Sequence, residues 1–137
     1  IGQKGWIVPL FNARRKNVYA SAYEWQAGKF VNVLPDQHLA LSDLIEKLAG
    51  QDVYFVGEDV QVFHEDLVEA FSEAAINQIP EWNYPNGVTL ASLGAKEQPV
   101  ANIHAFLPEY LKLVEAEENW LATQPQQVRV ESYVEKV

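Results

Sequence analysis

The hydrophobic pattern of this chain changes period near Pro35, and that switch restricts its possible folds more than any other feature. Before it, Trp6 to Asn12, Val18 to Trp25 and Phe30 to Leu34 are short runs rich in β-branched and aromatic residues. Such side chains suit a pleated, half-buried surface, so each run predicts a strand. The connections are too short for crossovers, which makes the three strands an antiparallel meander. After Pro35, read as the end of the third strand, Leu41, Leu44, Ile45 and Leu48 fall at i, i+3, i+4 and i+7. That is the stripe of an amphipathic helix. Ser42 is its expected N-cap and Gly50 its stop.

The two periods then alternate. Val53 to Val56 (VYFV) predicts a short buried strand ending at Gly57, and Val60, Phe63, Leu67, Val68 and Phe71 build a second helical stripe. Ala75 to Ile79 predicts a further strand before Pro80, and Asn86 to Ala95 a short helix capped by Asn86. The resulting order, β-β-β-α-β-α-β-α with right-handed crossovers, is that of an α/β, RNase-H-like lobe, the module that actin-like ATPases use twice. No internal repeat is present, so one lobe is expected. The chain begins IGQKGW and contains no methionine, which reads as a fragment whose N-terminal lobe is missing. The expected organisation is a lobe over 1–98, an extended segment with a short helix over 99–124, and a tail over 125–137 that is either poorly ordered or an added edge strand, the former favoured.

Composition removes several chemistries. There is no cysteine, so disulfides, thiolate metal sites and a cysteine nucleophile are excluded. No apolar run approaches the ~18–20 residues of a membrane-spanning helix, and nothing resembles a signal peptide. Acidic residues outnumber basic ones by 19 to 10. A nucleic-acid binder usually presents a basic face, because phosphate neutralisation supplies much of its affinity. Direct nucleic-acid contact is therefore not expected.

Candidate sites are sparse. His38, His64 and His104 have no second histidine or carboxylate at metal-ligand spacing. His64, on the apolar side of the second helix, reads as a partly buried core residue. Glu58 and Asp59 follow the VYFV strand, where ligands of open α/β sheets bind. They are read either as contacts to a Mg²⁺-bound phosphate or, for Asp59, as a helix cap. No glycine-rich phosphate loop and no serine in a hydrolase setting occurs, so no cofactor, metal or catalytic residue is expected. The exception to this blandness is FNARRKNVYASAYEW, where Arg14, Arg15 and Lys16 concentrate three of the ten basic residues on one turn of a chain with net charge −9. The turn is either a solvated hairpin tip or an arginine pair that meets an acidic protein surface or a phosphate.

Taken together, the segments resemble the C-terminal half of the TsaB (YeaZ) family. The turn Asn12-Ala13-Arg14-Arg15-Lys16-Asn17-Val18-Tyr19 is similar to that family's DARRGEVY, VYFVGED to its VFVGDGA, and Leu90-Ala91-Ser92-Leu93-Gly94 to its LAxLG. Pro108-Glu109-Tyr110-Leu111-Lys112 is similar to its P-x-YLR. The likeness covers about Pro9 to Trp120. Asn12 replaces the usual acid, Lys16-Asn17 replace Gly-Glu, Asp59-Val60 interrupt the glycine pattern, and Lys112 replaces Arg. The resemblance implies a cytoplasmic, non-catalytic scaffold and activator in the threonylcarbamoylation of the adenosine beside the anticodon of tRNAs reading ANN codons. It implies pairing with the TsaD transferase, made largely through the family's N-terminal lobe, with the TsaE ATPase joining them, and an actin-like fold with a degenerate nucleotide cleft. Partner-contact candidates are Asn12, Arg14, Arg15, Tyr19 and Tyr110, with a homodimer as a further form of self-association. The competing readings are a glycoprotease-like peptidase or hydrolase, and an unrelated interaction domain.

Overall fold

The computed structural model describes residues 5–113 and 115–123. They fall into two compact units divided between Leu107 and Pro108. The first unit holds a four-stranded sheet, and its first three strands form the expected meander, the third of them longer than the sequence predicts. They are β1 (Trp6–Asn12), β2 (Asn17–Gln26) and β3 (Lys29–Ala40), all paired antiparallel. The β2–β3 hairpin closes on Ala27 and Gly28, which both take positive φ, 49° and 84°. A two-residue turn of that hand matches the twist of the strands it joins. Then β4 (Val53–Val56) pairs parallel with β1, giving the strand order β3-β2-β1-β4.

Pro35 does not end β3, which runs on to Ala40. β3 lies at the sheet edge, where a proline's missing N–H costs no ladder bond. Its pairing steps from Ala22↔Leu34 to Ala20↔Gln37, so an extra β3 residue is accommodated as a bulge around the proline.

Helix α1 (Leu41–Leu48) follows at once and buries Leu41, Leu44 and Leu48. Ser42 is not its cap. Ala40 occupies that position without a side-chain bond, Ser42 lies inside the first turn, and the Leu41 N–H is satisfied by the Lys16 carbonyl at 2.9 Å. The second apolar stripe folds as a 3₁₀ turn, Val60–Phe63, running into α2 (His64–Ala70). Ala75 to Ile79 is not a strand. Only Ile76 bridges Phe55, in parallel sense, and the Asn77 N–H reaches the Phe55 carbonyl at 3.0 Å. The Asn77 side chain then takes both backbone groups of Ile79, accepting from its N–H at 3.1 Å and donating to its carbonyl at 2.7 Å. Those local bonds replace a ladder and turn the chain away from the sheet.

Beyond this point α3 (Gly87–Gly94) forms as expected, with the Asn86 side chain accepting from the Val88 and Thr89 N–H groups. In the second unit α4 spans Glu115–Thr123. The tail assigned to 125–137 lies outside the described residues.

The core forms where one sheet face meets the helices. Val8, Leu10, Val18, Ala20, Ala22, Val53 and Phe55 line that face and pack with Leu41, Leu44, Leu48, Val60, Phe63, Leu67 and Ile76. Alternation along β1 and β4 leaves the other face half-buried, with Ile7, Pro9, Tyr54 and Val56 upon it. Burial of the first face is the main favourable term, at ~1.5–3 kcal/mol for each fully buried Leu, Ile, Val or Phe.

Candidate functional site

The basic turn is the four-residue connection between β1 and β2. Ala13 is buried while Arg14, Arg15 and Lys16 are exposed. All three cations take positive φ, 68°, 51° and 58°. In this region the Cβ of an L-residue crowds its own backbone, at a cost of roughly 1–2 kcal/mol per residue. Three consecutive instances are therefore a strained element that its surroundings must hold in place.

The surroundings do so with specific bonds. The Asn12 side-chain oxygen accepts from the Arg14 N–H at 2.8 Å, an Asx turn that starts the reversal. The Ala13 N–H donates to the Asn17 carbonyl and the Asn17 N–H to the Arg14 carbonyl, both at 2.9 Å. The Asp59 carboxylate accepts from the Asn12 N–H at 2.8 Å. Asp59 sits at the cap position of the Val60–Phe63 turn but makes no side-chain cap bond there. The expected cap is thus a strut across the sheet, tying the start of the hairpin to the strand end of β4. Lys16 stands 4.0 Å from Asp66, and both side chains are well exposed, so that pair contributes little to stability.

A second polar constellation lies at the carboxyl end of β4. The Asn83 side-chain oxygen accepts from the Gly57 N–H at 3.0 Å and from the Asn77 amide at 2.8 Å. The Tyr54 hydroxyl donates to the Asn77 oxygen at 2.9 Å. A backbone N–H can only donate, so Gly57 fixes which end of the Asn83 amide faces it, and that choice orients Asn77 in turn. Asn77 is 1% exposed, and the bonds to both its oxygen and its nitrogen offset the cost of burying the amide. An open pocket of about 320 Å³ lies beside the network, lined by Glu58, Gln61, Asn77, Gln78, Asn83 and Tyr84 among others. Glu58 is exposed and makes none of the network's bonds.

Other sequence candidates are dispersed. Tyr19 lies near the start of β2 opposite Phe11, its ring 5.4 Å from that of His38. Tyr110 is 81% exposed and belongs to the second unit. His64 is half-buried, and its ring nitrogen approaches Glu73 at 3.1 Å, a polar pairing rather than a purely apolar setting. Among the described residues, no three His, Cys, Asp or Glu side chains group to hold a metal ion. No described helix is long and apolar enough to cross a membrane.

The described residues thus define an α/β sheet lobe whose distinctive surface is a braced cationic turn. No family model matches the chain. It is similar to the tRNA threonylcarbamoyladenosine biosynthesis protein TsaB of Bacillus subtilis (strain 168), with 37% identity over 124 residues, 88% of this chain and 53% of the relative. The chain spans about half the length of the curated relative it matches.

Proposed function

We propose that this chain is the RNase-H-like C-terminal lobe of a cytoplasmic, non-catalytic subunit in tRNA threonylcarbamoyladenosine biosynthesis. In this reading it pairs with a TsaD-like transferase, and a TsaE-like ATPase joins the assembly. The observation that carries the proposal is the 37% identity to TsaB across 88% of the chain. The RNase-H-like assignment draws support from the strand order β3-β2-β1-β4, the antiparallel meander joined to a parallel β4, and the Ile76 bridge beyond β4. The division of labour is chemical: the transferase supplies the reacting groups, and this lobe supplies surface and rigidity. Asn12, Arg14, Arg15, Tyr19 and Tyr110 are its candidate contacts.

The test is a pull-down in which the tagged full-length subunit is mixed with the TsaD-like transferase of the same organism and resolved by gel filtration. A co-eluting complex is expected. Separate elution at micromolar concentrations of both would contradict the assignment.

A further inference from the structure

We propose that the β1–β2 hairpin tip is a preorganised cationic docking element for a carboxylate-bearing patch on a partner protein. The proposal deepens the accessory-subunit reading and rests on it for the existence of a protein partner. Positions 14, 15 and 16 all hold the left-handed backbone that glycine adopts without steric cost, yet they carry Arg, Arg and Lys. A turn shaped only to reverse the chain would be cheaper with glycine there. Strain held by a surrounding framework is characteristic of a surface with a use.

The framework here is rigid on three sides. The Asn12 side chain fixes the Arg14 N–H, Asp59 fixes the Asn12 N–H, and the Lys16 carbonyl is engaged by the first N–H of α1. Cations presented from a fixed backbone lose less conformational freedom on binding than cations on a mobile loop. Phe11, 41% exposed and one residue before Asn12, adds an apolar edge beside them. An aromatic side chain next to arginines is the composition that dominates protein interfaces.

The surroundings favour an acidic protein over a nucleic acid. Asp59 and Asp66 lie in direct contact with the two ends of the turn, at Asn12 and Lys16, and the chain as a whole has net charge −9. A phosphate backbone carries charge at every nucleotide and would run past those carboxylates. Separate carboxylates on a folded partner engage the arginine forks singly and leave the acidic flank unopposed.

The experiment titrates the ¹⁵N-labelled chain at low salt with a peptide bearing two glutamates separated by a neutral Gly-Ser spacer and, separately, with an oligouridylate. Saturable shifts confined to the amides of residues 11–17 and their contacts are expected with the peptide, weakening several-fold at about 0.3 M salt. The double variant Arg14→Glu/Arg15→Glu should abolish them. Arg14→Asn/Arg15→Asn, which removes the charge with a residue that tolerates left-handed backbone, should do the same while keeping the fold. Shifts scattered over the surface, shifts that survive both variants, no shifts, or tighter binding of the oligouridylate would each overturn the proposal. The transferase pull-down stands apart from this titration. A positive titration without a transferase complex refutes the accessory assignment alone, and the converse refutes only the docking element.

Discussion

Replacing Gly57 with alanine tests how β4 is seated against β1. Gly57 takes φ +134°, and a Cβ built there would lie 2.3 Å from the Leu10 carbonyl oxygen and 3.3 Å from the Leu10 carbon and nitrogen. Real Cβ contacts stay beyond 3.0 Å, so one backbone must move by at least about 0.7 Å. The obstacle is main chain in a strand bonded on both sides, which has no rotamer by which to step aside. Gly57 also donates its N–H to Asn83, so the movement loosens the network at the strand end. An unfavourable φ costs about 1–3 kcal/mol, and the displaced pairing brings the expected loss to roughly 3–5 kcal/mol. Against a typical total of about 5–15 kcal/mol, the midpoint of thermal unfolding should fall by about 10–15 °C. Far-UV circular dichroism during heating and urea titration measures both quantities. Gly28→Ala is the matched control: its φ is +84° but nothing lies within 4 Å, so it should lose only about 1 kcal/mol. If the two variants lie within about 1 kcal/mol of each other, the close approach of Gly57 to Leu10 is not a feature of the folded protein.

Three further outcomes follow from the same geometry. Asn83→Ala leaves the Gly57 N–H and part of the buried Asn77 amide without partners, and chemical denaturation should show a loss of about 1–3 kcal/mol. Lys16→Gly relieves a left-handed residue but frees the unfolded chain, so its stability should stay within about 1 kcal/mol of the parent while its affinity for the two-glutamate peptide falls. Asp59→Ala removes the acceptor from the Asn12 N–H, and hydrogen exchange at that amide should accelerate by about tenfold, the effect of losing ~1.4 kcal/mol of protection.

The parts of the fold that the sequence discloses are those governed by local pattern. β1, β4, the α1 stripe and the Asn86 cap each depend on side chains within a few residues of one another. Pro35 misleads because its effect depends on where β3 sits in the sheet, and edge position is a property of the whole topology. Ile76 is buried like a strand residue, but the Asn77 side chain redirects the backbone that follows, and alternation alone does not register such competition. At the candidate site the charge cluster is visible in the letters ARRK, whereas its handedness is not, since no glycine marks the positive φ values. Asn12 at the start of the turn does carry a signal, because Asn before a reversal favours an Asx turn. The Asp59 strut joins residues 47 positions apart and carries no sequence signal. Likewise Asn77 and Asn83 become a network only once Gly57 has been placed between them.

The most direct measurement of the functional assignment is the threonylcarbamoyladenosine content of bulk tRNA, read by mass spectrometry of nucleosides after the protein is depleted from its host. That modified nucleoside should fall in step with the protein and return when the protein is restored. An unchanged level after depletion would contradict the assignment.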